Sequence, residues 1–154
     1  MATDFRRSDS PARNSQSRTA GSDLCGDLPS GVSGPIRIVG THLDHTVDDA
    51  NRIAQVRALN RRFGTHDMPT LLVGDLNAEP GSAPIELLLE AAWRCADPSF
   101  APTYPAEDAN LKIDWMFLSS GNSTFVKDAT VLSEPVASDH RPFRATWVLR
   151  GIEE

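Results

Sequence analysis

Four short polar clusters hold the side chains best suited to chemistry: Thr41-His42-Leu43-Asp44-His45, Gly74-Asp75-Leu76-Asn77, Ile113-Asp114-Trp115 and Ser138-Asp139-His140. Hydrolysis of a phosphate ester needs a nucleophilic water, neutralised charge on the nonbridging oxygens and a stabilised leaving oxygen. Carboxylates can hold a divalent cation and accept a proton from water. Imidazole can stabilise phosphoryl oxygens or protonate a leaving group, and an Asn amide can hold a nucleophile or a metal. An Asp paired with a His fixes its tautomer and favours its charged form, and Asp114 with His140 is the candidate pair. Only the fold could join them. Taken singly, an Asp after an apolar strand is more often a helix cap or turn former. The signal lies in hard oxygen and imidazole donors recurring at strand ends, where ligands gather in layered folds. His45 is read as a solvated loop residue and His66 as a surface residue, both outside the site.

The elements that must position these clusters follow from hydrophobic periodicity. Pro35–Leu43 alternates as a strand and ends at the first cluster. Thr46 or Asp48 can cap a helix with acids in its first turn, Arg61 and Arg62 in its last, and Gly64 as its stop. Its inner face is Ile53, Val56, Leu59 or Asn60, and Phe63. Pro69–Val73 is a wholly apolar run, the pattern of a strand covered on both faces, and it leads into Gly74-Asp75. A second helix is expected from Ser82 through Trp93, then a proline-containing loop from Pro98 to Pro105. Lys112–Leu118, Ala129–Leu132 and Phe143–Leu149 read as strands. This order of strands and helices implies a sheet packed against helices.

The chain has 154 residues, 40% hydrophobic and 23% charged, which suits one globular domain. Residues 1–23 are rich in Ser, Arg, Asn, Asp, Gly and Pro without apolar periodicity, so they are expected to be a disordered segment. The domain proper is taken as 24–154. No apolar run is long enough for a transmembrane segment, and the N-terminus lacks the apolar core of a signal peptide, so a cytoplasmic location is expected. Two cysteines, Cys25 and Cys95, give neither a disulfide framework nor a metal-binding pair. Residues 1–20 carry four arginines against two aspartates, so the remainder is more acidic than the −6 of the whole. An acidic body lacks the clustered Lys and Arg that hold a polyanion, which disfavours nucleic acid as a partner without excluding it. Bound metal could supply the missing positive charge.

Thr41-His-Leu-Asp-His45, Gly74-Asp-Leu-Asn-Ala-Glu-Pro80, Thr103-Tyr-Pro105, Lys112-Ile-Asp-Trp-Met-Phe-Leu-Ser119 and Ser138-Asp-His-Arg-Pro-Phe143 resemble the motifs of the endonuclease/exonuclease/phosphatase family, in that family's order. The resemblance covers about Leu24 to Leu149, the C-terminal part of such a domain. It implies an α+β fold, the deoxyribonuclease-I-like four-layer α/β/β/α sandwich, here without its N-terminal half. It also implies Mg2+-dependent cleavage of a phosphate ester, with Mn2+ as a substitute, on a substrate whose class the motifs do not name. Carried over by motif, Asp75 orients or deprotonates the attacking water, Asn77 contacts water, phosphate or metal, and His42 serves the phosphate or leaving group. Asp139, with Asp75 and Asn77, is a metal ligand, and His140, oriented by Asp114, stabilises the phosphoryl group. The family pattern also has an earlier strand ending in Asn and a Glu that ligates Mg2+. Residues before Leu24 resemble neither, and no Glu occurs before Glu79. Two consequences are expected: catalytic impairment, up to a remnant or noncatalytic binding module, and self-association through an unpaired C-terminal strand. His42-Leu-Asp44-His45 also resembles a metallo-β-lactamase motif, but Val39-Gly40 stands where that family needs a further His pairing.

Overall fold

Strand register, more than helix propensity, decides where the polar clusters end up. The computed structural model describes residues 36–64, 68–119 and 124–149, so the expectations for residues 1–23, Cys25 and His66 fall outside the described residues. The elements are β1 (Arg37–Gly40), α1 (Ala50–Phe63), β2 (Thr70–Asp75), α2 (Ala83–Glu90), β3 (Trp93–Cys95), β4 (Asp114–Ser119), β5 (Thr124–Val131) and β6 (Phe143–Leu149). Four strands form a sheet in the order β1-β2-β4-β3, and β5 with β6 forms a second sheet. β1 and β2 are parallel through the α1 crossover, whereas β2–β4, β3–β4 and β5–β6 are antiparallel.

Alternation along β2 and β4 gives the first sheet two unlike faces. Leu72 lies opposite Phe117 and Gly74 opposite Trp115, on the face covered by both helices. There Val56 of α1 and Ile85 and Leu88 of α2 join Leu72, Trp115 and Phe117 in the core. Each such buried side chain contributes about 1.5–3 kcal/mol of transfer free energy. Asn60 locks the layer: its amide donates to the Leu87 carbonyl at 2.9 Å, and its side-chain oxygen accepts the Trp93 indole N–H at 2.9 Å. The other face carries Leu71, Val73, Met116 and Leu118, with Asp75 opposite Asp114 at its end. A cleft of about 350 Å³ separates Ile36, Pro69, Leu71 and Leu118 from Ala145, Thr146 and Trp147 of β6. The layers therefore run helix, sheet, sheet, the mixed α+β arrangement expected of this fold class. No helix among the described residues is long and apolar enough to cross a membrane.

Several local expectations are corrected. The second helix stops at Glu90, because Ala92 takes a left-handed φ of 63° and Trp93 opens β3 instead, its indole satisfied by Asn60. β2 is not covered on both faces: Thr70 and Leu72 are buried but Leu71 and Val73 are partly exposed, since the second sheet covers them loosely. The N-cap of α1 is Asp49 rather than Thr46 or Asp48, and its carboxylate binds Arg52 instead of a backbone N–H. Ser82 caps α2 as expected by position, yet its hydroxyl donates to the Glu79 carbonyl. The strand placed at Ala129–Leu132 is longer, Thr124–Val131.

Candidate active site

Because Asp75 and Asp114 are direct cross-strand partners, their side chains share a face at one sheet end. His140, from the loop before β6, reaches this pair. Its Nδ1–H donates to Asp114 Oδ2 at 2.8 Å, which leaves Nε2 free and 3.9 Å from Asp75 Oδ2. His42 comes from the chain just beyond β1, which stays zipped to β2 through Thr41 N–H to Val73 O and Leu43 N–H to Asp75 O, each 3.0 Å. Its Nε2 lies 3.3 Å from Asp75 Oδ2. Asn77 completes the group. Its amide donates to the Leu43 carbonyl at 2.9 Å and lies 3.0 Å from His42 Nε2, a contact in which the imidazole nitrogen accepts when the ring carries its proton on Nδ1.

Two backbone devices permit this approach. Asn77 adopts a left-handed φ of 47°, a conformation Asn tolerates, and its N–H donates to Asp75 Oδ1 at 2.8 Å in an Asx turn. Gly74 has φ 143°, and a Cβ there would lie 1.8 Å from the Thr41 carbonyl oxygen. Only glycine lets the His42 segment lie this close to β2. The Trp115 indole N–H then holds the following turn by donating to the Ala78 carbonyl at 2.8 Å.

Electrostatically, His140 sits among the carboxylates of Asp114, Asp75 and Asp139. Partial burial disfavours the His140 cation, but the Asp114 hydrogen bond and the charges of Asp114, Asp75 and Asp139 outweigh it and raise the His140 pKa above its ordinary value. Asp75, Asp114 and His140 each offer one ligand atom, all within 4.8 Å of one another. Hard carboxylate oxygens of this kind suit a divalent cation such as Mg2+. Asp114 and His140 are paired to each other within this group, while the Asp75 carboxylate stands 3.9 Å from His140 Nε2.

The family's sequence profile, described as the endonuclease/exonuclease/phosphatase family, matches residues 8–140. The chain belongs to this family. Among solved structures, a mannosyl-6-phosphatase from Bacteroides thetaiotaomicron is 18% identical with a TM-score of 0.63, covering 73% of this chain and 51% of its own. A family protein from Bacteroides vulgatus is 24% identical with a TM-score of 0.58, covering 71% and 48%. The human Nocturnin catalytic domain, solved with a bound sulfate anion, is 20% identical with a TM-score of 0.51, covering 71% and 47%. This chain thus spans about half the length of these structures. No curated protein matches the sequence.

Of the residues singled out from the family motifs, His42, Asp75, Asn77, Asp114 and His140 meet at one point. Asp139 lines the same cleft of about 700 Å³, its carboxylate accepting from Ser138 Oγ at 3.2 Å. His45, expected as a solvated loop residue, is exposed and stands apart from the cluster, among the residues that line this wider cleft. Sequence reasoning assigned no role to two residues. Tyr104, in the Thr-Tyr-Pro motif, lays its ring against His140 with centroids 4.8 Å apart. Arg52 is buried and binds the Asp44 and Thr46 carbonyls at 2.9 and 2.6 Å and Asp49 at 2.7 Å, fixing the rim. The Asp49–Arg52 spacing of i,i+3 was the legible signal for it.

Proposed function

We propose that this chain carries the catalytic end of a Mg2+-dependent phosphoesterase, a hydrolase acting on a phosphate monoester or diester. The observation that supports it most is the Asp75–Asp114 cross-strand pair with His140 bridging it. Asp75 is the general base. Its Oδ1 accepts the Asn77 N–H, and its Oδ2, between His42 Nε2 at 3.3 Å and His140 Nε2 at 3.9 Å, would orient a water and take its proton. His140, held by Asp114 through Nδ1, presents Nε2 to a nonbridging phosphoryl oxygen, and its protonated form stabilises charge gathering there. His42, more exposed and set against Asp75 and Asn77 through Nε2, protonates the leaving oxygen or holds the phosphate. Asn77 fixes His42 and the water or metal. Asp139, Asp75 and Asn77 would hold Mg2+, or Mn2+ in its place, and the ion would neutralise the nonbridging oxygens.

The acidic charge of −6 favours a small phosphate ester over a polyanionic nucleic acid. The similar structures include a mannosyl-6-phosphatase and a catalytic domain with a bound sulfate anion, in keeping with a phosphate-ester substrate. Hydrolysis of bis(p-nitrophenyl) phosphate and p-nitrophenyl phosphate, with Mg2+ and with chelator, tests the reading. Metal-dependent turnover lost in His140→Ala and Asp75→Ala is expected. Turnover that survives both substitutions would overturn it.

A further inference from the structure

Arg141 follows His140 directly, yet its guanidinium does not enter the cleft. Its Nε donates to the Ala106 carbonyl at 2.7 Å and its Nη2 to the Glu107 carbonyl at 3.2 Å. The backbone repeats the same join: Arg141 N–H donates to the Thr103 carbonyl and Ala106 N–H to the Asp139 carbonyl, both 2.7 Å. The segment being gripped is itself rigid, because Thr103 and Tyr104 are both bonded through their N–H groups to the Leu111 carbonyl, at 2.8 and 3.1 Å. Thr103 is fully buried and its hydroxyl accepts the Asp114 N–H at 3.3 Å, so the same segment also meets the strand that carries Asp114.

An arginine beside three aspartates would ordinarily be read as a phosphate clamp or an ion-pair partner. Here two of its donors are committed to neighbouring carbonyls, a forked arrangement that a planar guanidinium can make and an ammonium cannot. We propose that Arg141 is a positioning residue, which clamps the Ser138–Arg141 loop to the 103–111 segment and thereby sets His140 between Asp114, Asp75 and the Tyr104 ring. This deepens the phosphoesterase reading and rests on it for its kinetic consequence alone. The geometry explains why the loop holds its place although Asp139 and His140 have little burial of their own: every hydrogen bond given above for the Arg141 side chain ends on the 103–111 segment. Without the fork, two backbone bonds would remain to hold a loop that must keep the imidazole in its 2.8 Å hydrogen bond to Asp114.

The test is nitrogen-15 NMR of the imidazoles in metal-free protein at fixed pH, combined with steady-state kinetics on bis(p-nitrophenyl) phosphate. Native His140 is expected as a single Nδ1–H form, and Arg141→Met as a mixture of tautomers with faster exchange of the Ala106 amide, while core amides of Leu72 and Phe117 keep their shifts. In kinetics, kcat should fall about tenfold to a hundredfold, the usual size for loss of an outer support. KM should stay within about twofold, because a positioning residue does not bind the ester. Arg141→Lys should recover part of kcat and of the tautomer signal. If Arg141→Met lost the core shifts, Arg141→Lys, which keeps the stem and charge but cannot fork, would carry the same decision. An unchanged His140 tautomer in Arg141→Lys and Arg141→Met would overturn the proposal, as would a rise in KM alone, which would make Arg141 a phosphate contact. The NMR arm reads positioning even where the native chain shows no turnover, so failure of the phosphoesterase reading remains separate.

Discussion

At the scale of single residues, a carboxylate or imidazole in the cleft and an apolar side chain in the core should fail in different ways. Asp75 and His140 are partly exposed at the sheet end, with side chains 17% and 25% accessible, so removing either leaves packing nearly intact. In any active form, Asp75→Ala or His140→Ala should cost on the order of a hundredfold or more in kcat with little change in melting temperature. Leu72→Asp should do the reverse, since it places a charge at a site that is 1% accessible. Equal melting losses in His140→Ala and Leu72→Asp would make the histidine structural. The imidazole also carries a pH consequence. Because its folded pKa is raised, the cation's contribution to stability is complete below the unfolded value of about 6.5 and is lost as pH rises through the folded value. In metal-free protein, NMR titration should place His140 above that of a free imidazole, and Asp114→Asn should bring it down by removing the largest of the favourable interactions. A His140 titration unaffected by Asp114→Asn would remove the orienting role given to Asp114.

Elements bring these residues together through a register that no local pattern encodes. The five motifs were legible because their residue types and order carried the chemistry, and the strands and helices around them were legible from periodicity. That Asp75 lies opposite Asp114, rather than one place along with its side chain on the helix face, is a tertiary property of the β2–β4 pairing. Trp93 was misread as helical for a related reason: the apolar run from Ile85 continues through it, and only Ala92's left-handed turn and the Asn60 partner show why it belongs to β3. Arg141 lay in view within Ser138–Phe143, but its partners come from a segment some 35 residues earlier, which sequence reading does not connect. Gly74 is the element-scale point most open to test. With φ 143° and the Thr41 carbonyl where a Cβ would go, Gly74→Ala must separate the His42 segment from β2. We expect a loss of about 2 kcal/mol or more in stability, measured by urea denaturation, together with loss of protection at the Thr41 and Leu43 amides. A stable Gly74→Ala with both amides protected would show that the junction takes a Cβ without the two segments parting.

For the whole molecule, the two sheets meet less closely than the helices meet the first sheet. Trp147 and Ala145 face Leu71 and Leu118 across a cleft of about 350 Å³, and Ile38 is 68% exposed. Such a face favours association with whatever apolar surface is at hand. Self-association of this chain is the proposal that follows, and a sedimentation experiment should find it weakened in Trp147→Glu. The same architecture bears on activity. Among the described residues Asp75, Asp114 and His140 form the group that could hold a cation, and no Glu precedes Glu79 in the sequence. Mg2+ keeps several waters and is commonly fixed by one or two carboxylates, so each anionic ligand matters both to occupancy and to placement. We therefore predict that this chain by itself binds Mg2+ weakly in calorimetric titration and hydrolyses bis(p-nitrophenyl) phosphate far more slowly than the same chain fused to the N-terminal half of a longer family member. Fusion should raise Mg2+ affinity, close the cleft between the sheets and abolish self-association together, because one added layer would serve all three. Robust Mg2+-dependent turnover by the unfused chain, lost in His140→Ala, would overturn this and direct the search for the replacing ligand to Glu79, which lines the same cleft, and then to Asp44.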